Sequence, residues 1–102
     1  MILHCGFCRF RPDADPAETV KVLQGLADLC ADFPGVISFQ HGPNRDFEQK
    51  SQAFKAGFVI RFTDQSALQH YADHPKHQAL GQRLCELCVG GADGIIVFDL
   101  EC

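Results

Sequence analysis

Positive charge is sparse in this chain. Nine Lys and Arg stand against thirteen Asp and Glu, the formal net charge is −4, and no basic cluster exceeds the isolated pair Arg9 and Arg11. The electrostatic footprint that nucleic acid or an anionic membrane surface requires is missing, so neither is expected as a partner. Long apolar runs are missing as well. Nothing approaches the roughly 20 apolar residues of a membrane-crossing helix. The opening "MILHCGFCRF" lacks a basic start and carries His4 and Arg9 inside its short apolar run, unlike a signal peptide. A cytoplasmic protein is expected. No internal repeat, linker or low-complexity segment divides the chain, and residues 1–102 read as one domain.

What is present is the material of a core. Hydrophobic residues make up 46% of the chain, charged ones 22%, and nine Phe supply most of the aromatic bulk. That balance belongs to a packed globule and not to a disordered tail.

Six Cys include two C-x-x-C spacings, Cys5 to Cys8 and Cys85 to Cys88, which invites a four-thiolate metal site. Geometry argues against it. Cys5 and Cys8 fall in "ILHCGFCRF", residues 2–10, which is too short for a helix and is followed by the breaker "RPDADP", so it reads as a strand. Residues three apart in a strand point to opposite faces and cannot share an ion. A redox site would place the first Cys at a helix N-terminus, a context that is also absent. Cys85 and Cys88 share a helical neighbourhood, but Cys88 lies on an apolar stripe and Cys85 lies off it. Neither a metal nor any other cofactor is expected, and in a reducing compartment the thiols serve as small packing residues.

Along the rest of the chain, Asp15 is a candidate N-cap and Pro16 a first helical residue. Thr19, Val22, Leu23, Leu26, Leu29, Cys30 and Phe33 then recur at helical spacing over about 16–33. "PG" at 34 and 35 ends that helix. A second strand, "VISFQHG", follows with Ile37 and Phe39 expected on one face and Val36, Ser38 and Gln40 on the other; residues 43–52 read as a loop. Residues 53–62, "AFKAGFVIRF", alternate as a third strand. Thr63 or Asp64 caps a short helix to about Asp73, and Pro75 restarts the chain as a longer helix with His77, Leu80, Gly81, Leu84, Leu87 and Cys88 on one stripe. "GGADG" breaks it before a last strand, "IIVFDL", at 95–100.

The order is β-α-β-β-α-β, the ferredoxin-like α+β arrangement: an antiparallel four-stranded sheet with both helical regions on one face. The first and last strands are apolar on both faces, and no element remains to cover the second one. A homodimer packed through that sheet face is the simplest cover; the alternative is a solvated face with scattered apolar residues.

Polar groups able to do chemistry gather in two places. His4 lies mid-strand on a face shared with Gly6, Cys8 and Phe10. If that face is the one turned from the helices, His4 looks into the space between the sheet and its dimer mate, with Gly6 leaving room for a ligand. The other place is "YADHPKH", where the break at His74 and Pro75 gathers Tyr71, His74 and His77. The positive end of a helix disfavours imidazolium, so His77 should stay neutral near pH 7, the form a general base needs. Against this stands the plainer reading of His77 as a core histidine and His74 as a capping residue.

His4 in the first strand, "GFVIRF", the helix "ALQHYADHPKHQAL" with its Tyr-x-x-His-Pro-x-His core, and the closing "IIVFD" together resemble the stress-responsive dimeric α/β-barrel family over essentially the whole chain. The resemblance implies a homodimer whose two sheets close into a barrel. It also implies kinship with a plant polyketide cyclase of that family that works by aldol condensation. Carried over residue by residue, His77 becomes the base, Tyr71 the acid or oxyanion donor, and His4 an orienting group. Three readings follow: a protein binding a small apolar molecule in a cavity at His4, Gly6, Cys8, Tyr71, His74 and His77 without assured catalysis; a cyclase-like enzyme using His77, Tyr71 and His4; and a structural or assembly protein whose barrel is filled by Phe side chains.

Overall fold

A computed structural model describes residues 1–102. Strand β1 (Ile2–Cys8) leads to helix α1 (Pro16–Cys30), then strands β2 (Val36–Pro43) and β3 (Ala56–Phe62), helices α2 (Gln65–Asp73) and α3 (Pro75–Glu86), and strand β4 (Ile95–Glu101). A 3₁₀ turn at Gly91–Gly94 occupies the "GGADG" break. The β-α-β-β-α-β order is the expected one, with the second helical region broken at His74.

Local chemistry accounts for the helix boundaries. Asp15 accepts a hydrogen bond from the Ala17 amide at 2.9 Å, and Pro16 stands where a missing N–H costs nothing. Asp64 accepts from the Ala67 amide at 2.8 Å and starts α2 in the same way. Pro75 forces His74 into an extended conformation, φ −68° and ψ 131°. His74 then caps α3 through Nδ1, which accepts from the Lys76 amide at 3.1 Å.

The sheet order is β2-β3-β1-β4, with every pair antiparallel. His4 stands opposite Ile60 and Asp99, Gly6 opposite Phe58 and Val97, and Cys8 opposite Ala56 and Ile95. Directly paired residues share a face. On this face Ile2, Cys8, Phe58, Ile60 and Phe62 form one buried cluster with Val22, Leu23 and Leu26 of α1 and with Tyr71, Leu84, Leu87 and Cys88. It is the helix-covered face. The other face carries Leu3, Cys5, Phe7, Val59, Ile96, Phe98 and Leu100. No helix lies over it, and Phe98 and Leu100 are 60% and 59% exposed.

This assignment corrects two expectations. His4 lies beneath the helices and does not look toward a dimer mate, because it shares the face of the buried Ile2 and Cys8. Gly6 does not leave ligand room either, since a Cβ there would overlap the Phe58 ring. Glycine is needed so that β1 and a buried phenylalanine can approach each other.

Several boundaries also differ. β1 ends at Cys8 because the chain leaves the sheet: Arg9 N donates to Gly94 O at 2.7 Å and Arg11 N to Leu87 O at 2.9 Å, leaving Phe10 bridged to Cys88. α1 stops at Cys30, and Ala31 and Phe33 donate back to Asp28 and Cys30 in tighter turns. In β2 a bulge between Val36 and Ser38 shifts the alternation, which puts Val36 and Phe39 toward the helices and leaves Ile37 54% exposed. β3 begins at Ala56 and not at residue 53. Residues 44–54 are held as a loop by the Asn44 amide, which donates to Ser51 Oγ and Phe54 O at 2.9 Å, and by Asp46, which accepts from Lys50 N and Ser51 N.

Gly6→Ala should therefore destabilise the protein by about 1–3 kcal/mol through overpacking against Phe58. Urea unfolding should show a lower midpoint at unchanged slope. An unchanged midpoint would mean that the space beside His4 is open.

Candidate functional site

His4 is placed by the strand register. Its Nδ1 donates to Asp99 Oδ1 at 2.6 Å across the β1–β4 pair, and its side chain is 15% exposed. Its ring lies 6.0 Å from that of Phe58 and 6.1 Å from that of Phe62. The carboxylate accepts from Nδ1 and so orients the ring, as in many catalytic and metal-binding histidines, while no protein group pairs with Nε2. Asp99 was not singled out from sequence. The signal available was a carboxylate in the middle of "IIVFDL", where an apolar strand has no packing use for one.

His77, in the first turn of α3, donates from Nδ1 to the Ala72 carbonyl at 3.1 Å. This turns its Nε2 free in the same way. Burial holds the imidazole below its ordinary value, and neighbouring His4 and His74 push in the same direction, while the Ala72 carbonyl opposes them. His77 is thus neutral near pH 7, as the helix-end reading expected, but burial is the main cause. No enclosed side-chain nitrogen or oxygen lacks a hydrogen-bond partner. The unpartnered Nε2 atoms of His4 and His77 therefore both reach accessible space.

Tyr71 lies against His77, with ring centroids 4.3 Å apart, and is 1% exposed. It also packs on Phe62 and Phe33. Burial, reinforced by the neighbouring Cys30 thiol of α1, pushes its pKa above the ordinary tyrosine value. Burial likewise pushes Cys30 up to about 11. The phenol therefore stays protonated at physiological pH and keeps a proton to donate. His74 is engaged as the cap of α3. The structure thus brings His4, Asp99, Tyr71 and His77 into one neighbourhood, and places Gly6 and Cys8 deeper in the core.

The cysteines are arranged differently from either C-x-x-C. Cys5 is half-buried on the helix-free face and Cys8 is buried on the other. Cys8 instead meets Cys88, the second cysteine of the distant motif, in the core. The interaction of the two thiols raises the pKa of Cys8, with burial adding to it, and lowers that of Cys88. Sequence spacing could not show this pairing, which depends on the Phe10 to Cys88 bridge.

Three cavities, of about 890, 610 and 360 Å³, lie elsewhere in the molecule. None is lined by His4, Gly6, Cys8, Tyr71, His74 or His77.

The model of the stress-responsive A/B barrel domain matches residues 2–102. The chain belongs to the stress-responsive A/B barrel family. Among solved structures, this barrel chain is 42% identical to a dimeric ferredoxin-like protein of unknown function from Jannaschia sp. CCS1, with a TM-score of 0.94 and 99% of this chain and 98% of that one covered. A protein from Arabidopsis thaliana is 20% identical, with a TM-score of 0.85 over 100% and 95% of the two chains. The hydroxynitrile lyase from Passiflora edulis is 12% identical, with a TM-score of 0.81 over 97% and 90%. The last two share the fold with this barrel protein. No curated protein matches it.

Two measurements check the site. The folded pKa of His77 lies below the unfolded value of about 6.5. Between the two values the unfolded chain binds the proton first, so the stability linked to neutral His77 is complete above about pH 6.5 and is lost as pH falls. Urea midpoints from pH 7.5 to 5 should fall more steeply for the wild type than for His77→Gln; equal slopes would contradict the burial of the ring. In native protein, alkylation mapped by mass spectrometry should mark exposed Cys102 first and leave Cys8, Cys30 and Cys88 unmodified until unfolding. Early labelling of Cys8 would contradict its packing.

Proposed function

We propose that this barrel protein is a cytosolic homodimer of one domain per protomer, joined through the helix-free sheet face, that binds a small, largely apolar molecule beside His4 and His77. The observation that carries the reading is the pair of Nε2 atoms without a protein partner, each on a ring fixed through Nδ1 and each reaching accessible space among the rings of Phe58, Phe62 and Tyr71. Such nitrogens form hydrogen bonds with a hydroxyl, an enol or a carbonyl, while the rings contact the apolar remainder of a ligand. The way in is along β4, which no helix covers: Val97 and Asp99 lie on the helix side of the sheet and are exposed. Dimerisation is supported by the apolar helix-free face and by the relatives described as dimeric.

Binding is checked with a simple 1,3-diketone, whose enol offers a hydroxyl on a small apolar frame. Titration should shift the ring proton signals of His4 and His77 and leave those of His41 and His70 in place; an unchanged His4 and His77 would sink the reading. Phe98→Asp should convert the wild-type dimer to monomer in sedimentation equilibrium at micromolar concentration, since it buries a charge in the proposed interface. A variant that stays dimeric would exclude that face.

A second reading, a cyclase-like enzyme, is favoured by one specific feature: neutral His77 with Nε2 free stands in ring contact with a phenol that is always protonated. His77 would take a proton alpha to a carbonyl, and His4, held by Asp99, would orient the substrate. Tyr71 is buried beside the Cys30 thiol, so its donor role requires the substrate to reach into the core. Turnover of a linear polyketone should fall by about 10²-fold or more in His77→Ala. No turnover by the wild type over a range of such substrates would count against catalysis.

A further inference from the structure

The largest of the three cavities, about 890 Å³, opens at the start of α1, between that helix and the β2–β3 side of the sheet, away from the histidine site. Its apolar lining includes Phe10 from the end of β1 and Leu23 from α1, with the more exposed Val20 at its edge. Its rim carries Arg11, Lys55 and His41. No acidic residue lines it, although Asp and Glu outnumber Lys and Arg in the chain. The carboxylates near these cations are already engaged. Asp13 sits 3.3 Å from Arg11 in an exposed ion pair, and Asp46 accepts from the Lys50 and Ser51 amides. An exposed pair such as Arg11 with Asp13 is weakly held and re-forms readily around a competing anion. His41 donates from Nε2 to Gln24 at 3.2 Å and stands beside the opening.

From this charge complementarity we propose a second binding site, for an amphipathic anion with one carboxylate head and an unbranched apolar tail, of the medium-chain fatty acid class. The tail lies on Phe10, Val20 and Leu23, and the head meets Arg11 and Lys55. The cavity volume falls in the range of small-molecule sites. A neutral molecule of the same shape would fill the floor but leave the cationic rim without a partner, so the head group sets the selectivity.

The test uses decanoate and decanol below their aggregation limits, by isothermal titration with the full chain. Decanoate should bind saturably with one site per chain, at least tenfold tighter than decanol, and more weakly as salt is raised. The double variant Arg11→Ala/Lys55→Ala, both at exposed positions, should lose most of that tenfold preference while keeping its urea midpoint. His77→Ala should bind decanoate as the wild type does, which separates this site from the histidine site. Equal affinity for decanoate and decanol, an undiminished preference in the double variant, or no saturable binding at all would overturn the proposal. Loss of decanoate binding in His77→Ala would also overturn it, by moving the ligand to the histidine site and leaving that other reading intact.

Discussion

A four-stranded sheet with apolar residues on both faces, and helices for only one of them, is the constraint that organises this molecule. Burial of the covered face gathers Ile60, Phe62, Cys8, Leu26, Leu84 and Tyr71 into one core. Tyr71 of α2 and Leu84 of α3 belong to it, which seats both helices over the sheet beside His4 and His77. The uncovered face leaves Phe98 and Leu100 in contact with water, and removing such surface from solvent is the dominant favourable term in association. Fold and proposed assembly therefore have one cause.

The same burial tunes the chemistry. His4 and His77 come from elements far apart in sequence, and each spends Nδ1 on a local acceptor, a carboxylate in one case and a backbone carbonyl in the other. What remains is a pair of Nε2 atoms without a protein partner at the margin of an aromatic cluster. Tyr71, in ring contact with His77, is buried in the core beside the Cys30 thiol and also serves the packing. A binding site with latent acid–base capacity fits these facts better than a fully assembled catalytic pair.

Much of the fold was legible because its signals are local. Asp15 with Pro16, Asp64, and Pro75 mark helix starts by hydrogen bonds to nearby amides, and the alternation in "GFVIRF" is the direct imprint of a half-covered strand. Other features depend on partners that no local pattern names. The bulge at Val36 and Ser38 regroups the faces of β2, putting Phe39 with Val36 against the core and leaving Ile37 exposed. Which face of β1 lies under the helices also cannot be read from a strand that is apolar on both, so the position of His4 stayed conditional. Asp99, Cys30 and the meeting of Cys8 with Cys88 all arise from register and tertiary contact.

The direct measure of the central constraint is solvent paramagnetic relaxation of assigned methyl groups in the wild-type protein at micromolar concentration. If a second copy covers the free sheet face, the methyls of Leu3, Ile96 and Leu100 should be relaxed far less than those of Val20, which is 59% exposed on α1. Relaxation of Ile96 and Leu100 as strong as that of Val20 would show the face open to water and contradict the account.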